Sequence, residues 1–498
     1  MNDGVREGLT RPPPAPRGPS RREILGGALA LGACTRPVRA PARRFDEPIV
    51  VDVHCHDFNA SDLPITGFIA RTIPGLSEIT SGLTPIPEQI LRRVVGTIHG
   101  WLNAEAPSAD AEVPKLRAAL ARGGLIGPAT PLPLPREVFD RLAAQIGRLL
   151  GIDPAALGEG FFQLAETLHL VSHPRARIAA TLATIYPTVS LFAPLMVDYD
   201  AWTDDHAASS LASQVAANEL CARLSIRGCI GRPGARLHPF IAFDPLRNGG
   251  LAIVQQAVLR SGFIGVKIYP PVGFLPIGNA DLGGDRARGQ ALDTALRGLY
   301  SFCEAEEIPI TAHASPGNEF ALGYGEMAAP ARWARVLSEF PNLRLNFGHF
   351  GHETGTGGAE GIEARDAWMR QAAELIETHP HVYADLSSSP LVYDAAYAAR
   401  FGAHLSALCA RFRRLPSRLM YGSDWWLNRF DPRGETAVGA FQRFLGECLG
   451  PARDAIMGRN ALRFLGFLDD DDRLAVTNRN QQRLRAFYGG EPLPAWLG

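Results

Sequence analysis

The chain has 498 residues, more than a typical domain of about 150, so it suits either one elaborated barrel or several domains. Hydrophobic residues make up 46% of the chain, charged residues 20%, and the formal net charge is -1, which argues against disorder and against a nucleic-acid partner. The seven cysteines form no CxxC pair, so neither a zinc ribbon nor a disulfide scaffold is indicated. No apolar run approaches the roughly 20 residues that a bilayer span requires.

Residues 1–47 have the composition of a signal peptide and a linker. The run from Ser20 to Leu25 resembles a twin-arginine export signal, and the run from Leu31 to Cys34 resembles a bacterial lipoprotein box. We therefore expect removal of residues 1–33, a lipid anchor at Cys34, and a periplasmic or membrane-anchored protein. The alternative is a cytoplasmic protein with an arginine-rich leader.

From Pro48 onward, short β-branched runs alternate with amphipathic helical stretches, which is typical of α/β architecture. The expected strands are 49–53, 189–197, 240–243, 264–269, 308–311, 343–347, 382–386 and 418–422. Helical periodicity falls between them at 209–224, 252–260, 291–306, 331–340, 364–378 and 397–414. Polar residues follow so many different strands that a (β/α)8 TIM barrel fits better than an open sheet.

The stretch 57–187 separates the first two strands by far more than an ordinary loop. Helical patterns at 87–102, 135–150 and 160–170 predict a helical insertion over the barrel mouth, which we interpret as a lid or specificity subdomain. Residues 427–498 are expected to add C-terminal helices to a barrel domain that spans 48–498.

The motif Val51-Asp52-Val53-His54-Cys55-His56 ends the first expected strand. Because side chains alternate along a strand, His54 and His56 lie on one face and can chelate a metal, while Cys55 points away. Further ligand types follow later strands: His313 in Thr311-Ala-His, His349 in Phe347-Gly-His, and Asp424 in Gly422-Ser-Asp.

With these motifs the sequence resembles the metal-dependent amidohydrolase superfamily, in particular its amidohydrolase-related branch. The resemblance runs from Val51 to about Gly466, apart from the insertion. It implies a TIM barrel that holds one or two divalent ions, for which we expect zinc. The ligands that it implies are His54, His56, His313, His349 and Asp424.

Lys267 is one of only two lysines among 50 basic residues, and it lies on the fourth expected strand. Some superfamily members carry a carboxylated lysine there that bridges two metals, a role that arginine cannot fill. The alternative is a lysine that binds substrate beside a single metal. For His238 and His352 we expect structural or orienting roles, and for Tyr269, Trp425 and Trp426 mainly packing at the barrel rim.

The resemblance implies a hydrolase in which a metal-activated water attacks a carbonyl, amide or lactone carbon of a small molecule. Asp424 would move the proton of that water, and His349 would bind a second ion or polarise the substrate. Two alternatives stay open: a non-oxidative decarboxylase of the same branch, and an inactive, surface-anchored binding protein. The sequence sets neither the substrate nor the oligomeric state.

Overall fold

The computed structural model describes residues 48–65, 67, 88–124, 126, 134–151, 153–154, 159–203, 205–316, 319–351, 360–387, 390–428 and 433–498. The predicted leader and Cys34 lie outside these residues, so the export and lipid-anchor predictions stay predictions. Within the described part of the chain, no helix combines the length and apolar composition needed to cross a membrane.

The sheet strands are short, buried and parallel. In chain order they are β1 Val50–Cys55, β2 Val189–Pro194, β3 Arg236–Leu237, β4 Phe240–Ala242, β5 Gly265–Ile268, β6 Ile310–His313, β7 Leu345–Gly348, β8 Val382–Asp385 and β9 Leu419–Met420. Every predicted strand overlaps one of these. The two-residue β3 was not predicted; only His238 and Pro239 separate it from β4.

The strands form one run from β1 to β3 and a second run from β4 to β9. A parallel bridge between Leu195 and Phe240 joins the runs on one side. On the other side, Val53 N–H donates to Tyr421 O at 3.2 Å and Asp424 N–H donates to His54 O at 2.7 Å. These contacts link the first strand to the last and complete the ring expected of a (β/α)8 barrel.

Helices follow most of the strands, as the alternating pattern predicted. After β2 they are α6 Leu211–Ile226, α7 Gly250–Arg260, α8 Arg286–Ala305, α9 Ala334–Glu339, α10 Glu360–Thr378, α11 Ala395–Arg411, α12 Trp425–Asn428, α13 Ala437–Leu449, α14 Asn460–Phe464 and α15 Arg479–Tyr488. Side-chain caps fix several beginnings, for example Ser210 before α6 and Asp285 before α8.

Between β1 and β2 the described residues form five α-helices and a short 3-10 helix. The α-helices are α1 Glu88–Glu105, α2 Ala109–Arg122, α3 Arg136–Leu150, α4 Glu159–Val171 and α5 Arg175–Ile185. Sequence patterns predicted α1, α3 and α4 but missed α2, which contains Pro114, and α5, which is buried along most of its length. The limits of the insertion as a subdomain, and its lid role, stay predictions.

Strand β1 shows how the core positions the site. Val51 and Val53 pack in an apolar cluster with Leu462 of α14, while the intervening Asp52 and His54 point to the opposite face. Period-two alternation therefore puts hydrophobic residues against the C-terminal helices and leaves the polar face for chemistry.

Candidate metal centre

His54 of β1 and His56, just beyond the strand, direct their ring nitrogens to different partners. His56 Nδ1 donates to the carbonyl oxygen of Leu195 at 2.7 Å, so its Nε2 is the nitrogen that carries a free lone pair. That Nε2 lies 3.5 Å from Asp424 Oδ1. His54 instead directs Nδ1 toward Asp385, at 3.1 and 3.2 Å from its two carboxylate oxygens.

His54, His56 and Asp424 each contribute a ligand atom to a set in which all atoms lie within 4.8 Å of one another. Burial lowers the pKa of His56 well below its usual value, and the positive charges of His54 and Lys267 act in the same direction. A neutral imidazole is the form that binds a metal. Two imidazoles and a carboxylate are the donors of many catalytic zinc sites, so this set fits a divalent ion.

Two residues of the predicted site have a backbone conformation that is rare outside glycine. Asp424 has a φ of 42° and His349 a φ of 67°, both in the left-handed region. Hydrogen bonds hold each of them: Asp424 N–H donates to His54 O at 2.7 Å, and His349 N–H donates to Asp385 Oδ1 at 3.0 Å. Strained residues that the surrounding structure fixes in this way cluster at functional sites.

His313 and His349 form the second half of the predicted ligand set. His313 ends β6 and His349 follows β7, and His313 Nδ1 lies 3.1 Å from His349 Nε2. His349 Nδ1 lies 4.0 Å from Asp424 Oδ2, which connects this pair to the first set. Burial, followed by the charges of His54 and His313, lowers the pKa of His349 well below its usual value.

Lys267 lies on β5 and is buried inside the same end of the barrel. Its charge helps lower the pKa values of His56 and His349, and it opposes the rise in the pKa of Asp424 that burial causes. The structure therefore brings all six sequence-predicted residues together. Their roles as ligands, and the carboxylation of Lys267, stay predictions.

Sequence reasoning missed Asp385, the last residue of β8. Its carboxylate accepts hydrogen bonds from His54 Nδ1, from Asn346 Nδ2 at 2.6 Å and from the backbone N–H of His349. Burial alone would raise the pKa of Asp385, but the charge and hydrogen bond of His54 hold it below its usual value. His54, His349 and Asp385 also lie close enough to form a metal-binding set. Because donors already occupy both oxygens of Asp385, we interpret it as the group that orients His54.

Asp52 was also missed, although it lies within the quoted motif. Its two carboxylate oxygens accept from the backbone N–H of Ser423 at 2.9 Å and from Ser423 Oγ at 2.6 Å. The contact attaches the segment before Asp424 to β1. Asp385 follows the rule that polar residues at the carboxyl ends of barrel strands belong to the site, which is the signal that could have revealed it. Asp52 lies in the middle of β1, and its signal is the alternation that puts it on the same face as His54.

The loop after His56 is fixed to the insertion by buried charges. Arg175 of α5 is fully buried and donates to Asp62 Oδ1 at 3.0 Å and to Glu112 Oε2 at 2.7 Å. Asp62 closes a short 3-10 helix, Ala60–Asp62, which Asn59 caps. No sequence pattern indicated this network, because its members are distant in the chain.

The other residues that the sequence singled out make packing and hydrogen-bond contacts where the structure describes them. His238 is buried just before β4, with its ring nitrogens 3.2 Å from Gly262 O and 3.3 Å from Tyr488 Oη. Tyr269 stacks on His313 with ring centroids 4.3 Å apart. Trp425 Nε1 donates to His56 O at 2.6 Å, and Trp426 stacks on Phe58. His352 lies outside the described residues.

The buried Cys55 does not offer an alternative nucleophile. Burial raises the pKa of its thiol well above the usual value, and the negative charges of Asp52 and Asp57 reinforce the rise. A thiol that stays protonated is a poor nucleophile. This agrees with the prediction that Cys55 points away from the proposed ligands.

A profile of the amidohydrolase family matches residues 172–467, which is more than half of the chain. The chain belongs to this family, and it is therefore an enzyme of a metal-dependent class, as the motifs predicted. Small molecules are the substrates of this class, and a divalent metal is its usual cofactor. No curated protein matches the sequence.

Several solved structures are similar to the chain at low sequence identity. A 4-oxalomesaconate hydratase from Rhodopseudomonas palustris is 15% identical, covers 84% of this chain and 95% of its own, and has a TM-score of 0.38. An amidohydrolase from Burkholderia multivorans with bound Zn is 16% identical, covers 67% and 95%, and has a TM-score of 0.37. Amidohydrolase 2 from Bifidobacterium longum subsp. infantis is 15% identical, covers 55% and 80%, and has a TM-score of 0.30.

Proposed function

We propose that the protein hydrolyses a small molecule at a carbonyl, amide or lactone carbon, with a divalent metal held by His54, His56 and Asp424. The observation that carries the proposal is the convergence of these three side chains, all within 4.8 Å, where the first and last barrel strands meet. A bound divalent ion would lower the pKa of a water to about 7 and polarise the substrate oxygen.

Asp424 is the residue we propose as proton acceptor. Its Oδ1 lies 3.5 Å from His56 Nε2, and its Oδ2 lies 4.0 Å from His349 Nδ1, so the carboxylate stands between the two halves of the ligand set. From this position Asp424 takes a proton from the attacking water and returns it to the leaving group. His349 orients the substrate oxygen or contributes to a second ion.

Metal analysis combined with a substrate screen tests the proposal. Purified protein loaded with zinc should retain the metal after dialysis, and His56→Ala should lose it. Products formed in water labelled with ¹⁸O should contain the label, because hydrolysis consumes water. Release of carbon dioxide with no label in the organic product would support the decarboxylase instead, and a wild type that retains no metal would contradict the proposal.

We further propose that Lys267 is carboxylated and bridges two ions. In this arrangement His54 and His56 would hold one ion with Asp424, while His313 and His349 would hold the other. The negative charge of the carbamate would offset the repulsion between the two divalent ions. Support comes from the burial of Lys267, from its electrostatic effect on His56 and His349, and from the 3.1 Å separation of His313 Nδ1 and His349 Nε2.

Lys267→Arg separates the one-metal and two-metal arrangements. Guanidinium keeps the positive charge but cannot form a carbamate, so the variant should bind one ion where the wild type binds two. A metal-to-protein ratio near one in both proteins, with weaker substrate binding in the variant, would instead make Lys267 a substrate-binding residue.

For the leader we propose export and lipidation at Cys34, as the twin-arginine and lipoprotein patterns indicate. Membrane fractionation of the expressed full-length chain tests this, with Cys34→Ser as the matched variant. The wild type should sediment with membranes and the variant should not. Full-length protein in the cytosol would contradict the proposal.

A further inference from the structure

Ser387 lies two residues beyond Asp385 and is completely buried between the two halves of the metal centre. Its Oγ lies 3.0 Å from His54 Nδ1 and 3.0 Å from His349 Nδ1. It also makes a short hydrogen bond to Asp385 Oδ1. One hydroxyl therefore contacts both imidazoles and the carboxylate that supports them, and the mechanism proposed above gives it no role.

The number of protons available determines the direction of these bonds. A hydroxyl has one proton and two lone pairs. Asp385 already accepts from Asn346 Nδ2 at 2.6 Å and from the backbone N–H of His349 at 3.0 Å, so it acts as an acceptor and receives the proton of Ser387 Oγ. The two lone pairs of Oγ then face the two Nδ1 atoms, each of which must carry a proton to donate.

We propose that Ser387 is a positioning residue that holds the proton of His349 on Nδ1 and, together with Asp385, holds the proton of His54 on Nδ1. Both rings then carry a bare Nε2. A bare Nε2 is the atom that can bind a metal, so the expected effect on metal affinity rests on the proposed function. The assignment of the two tautomers does not rest on it. The bare Nε2 of His349 is the same atom that faces His313 Nδ1 at 3.1 Å.

The two histidines depend on Ser387 to different degrees. His54 Nδ1 has a second acceptor, because both oxygens of Asp385 lie within 3.2 Å of it. His349 Nδ1 lies 4.0 Å from Asp424 Oδ2, which exceeds hydrogen-bond distance. Removing the hydroxyl should therefore release the tautomer of His349 and leave that of His54 in place. General packing damage would not produce this asymmetry.

The direct test is ¹⁵N NMR of metal-free protein with labelled histidine, in which protonated and bare ring nitrogens resonate far apart. His54→Gln and His349→Gln identify the two rings among the 13 histidines of the chain. In the wild type, both rings should be protonated at Nδ1. In Ser387→Ala, His349 should shift toward the Nε2-protonated form while His54 does not, and Ser387→Thr should restore the wild-type pattern.

Ser225→Ala is the matched control, because Ser225 is equally buried but bonds Ala222 O and Leu237 N away from the metal centre. It should leave both tautomers unchanged. A bare Nδ1 on His349 in the wild type would overturn the proposal even if Ser387→Ala does not fold. An unchanged His349 tautomer in a folded Ser387→Ala would also overturn it.

Metal affinity, measured by competition with a chelator, gives the second readout. Losing a group that orients a ligand typically weakens metal binding about 10- to 100-fold. We expect a loss of that size in Ser387→Ala and none in Ser387→Thr or Ser225→Ala. If the wild type shows the predicted tautomers but binds no metal, the proposed function fails while the role of Ser387 stands. If the wild type binds metal but its tautomers differ from those predicted, the proposed role of Ser387 fails while the proposed function stands.

Discussion

Buried histidines lie at both ends of the barrel, but their surroundings differ. At the amino end, His238 is enclosed by the rings of Phe487, Tyr488 and Trp496 from the C-terminal segment. At the carboxyl end, His54 and His56 lie with Asp424 in one set of ligand atoms. Histidine side chains are buried in both environments, yet of these two only the second brings several donor atoms together.

The difference shows that burial of a histidine does not define a metal site. His238 uses one ring nitrogen with Gly262 O and the other with Tyr488 Oη, so both nitrogens are engaged in fixed contacts. His56 uses only Nδ1 for its contact with Leu195 O and keeps Nε2 toward Asp424. In His56, unlike His238, the supporting contact thus leaves one ring nitrogen available for a metal.

The largest expected effect comes from replacing an acid at the carboxyl end. Asp424→Asn removes the proposed proton acceptor and should lower kcat/KM about 10²- to 10⁴-fold. His238→Gln is the control at the other end, and it should keep the metal and most of the activity. Steady-state kinetics with metal-loaded proteins would show this, and equal losses in the two variants would erase the distinction between the barrel ends.

The loop after His56, near the carboxyl end, also depends on a buried ion-pair network. Breaking this network should lower the stability by a free energy similar to the catalytic loss in Asp424→Asn. Arg175→Met leaves Asp62 and Glu112 buried without their cation, so we expect a loss of about 3 to 5 kcal/mol in the free energy of unfolding. Arg297→Ala breaks the partly exposed pair with Glu339 and should cost at most about 1 kcal/mol. Urea unfolding measures both, and a similar small cost for the two variants would refute the anchoring role of Arg175.

Acid should destabilise the amino end through His238. Burial lowers the pKa of His238 to about 3, whereas an unfolded histidine titrates near 6.5. Between these values the unfolded state binds more protons, so the stability contributed by neutral His238 is present above pH 6.5 and is lost as the pH falls. At pH 5 the loss should be about 2 kcal/mol.

His238→Gln should remove that part of the pH dependence. Comparing unfolding midpoints at pH 7 and pH 5 for the variant and the wild type isolates it. Identical pH slopes in the two proteins would show that His238 contributes nothing to acid sensitivity.

Two glycines should change the stability in opposite directions. A Cβ on Gly422 would lie 2.6 Å from His54 Cβ, so Gly422→Ala must displace a proposed ligand and should cost about 1 to 3 kcal/mol. A Cβ on Gly100 of α1 meets nothing within 4 Å, so Gly100→Ala should stabilise the protein by about 0.5 to 1 kcal/mol. Thermal unfolding should show a lower midpoint for Gly422→Ala and a higher one for Gly100→Ala. An unchanged midpoint in Gly422→Ala would mean that β1 and the segment after β9 tolerate more separation than the structure indicates.

The sequence predicted the barrel well because its strands are short apolar runs with polar residues at their ends, and parallel strands present those ends together. The same rule predicted His54, His56, His313, His349 and Asp424. Asp385 was missed because it was counted as part of the expected strand at 382–386, and Ser387 was missed because that strand ends before it. Arg175 could not be found by pattern, since its partners Asp62 and Glu112 are distant in the chain and meet only after folding.

The most direct test of the central claim is an anomalous difference map from crystals of zinc-loaded protein, collected at the zinc edge. We expect a peak within bonding distance of His54, of His56 Nε2 and of an oxygen of Asp424, and loss of that peak in His56→Ala. A zinc-loaded crystal without a peak among these three residues, or with its strongest peak elsewhere in the chain, would contradict the proposed metal site.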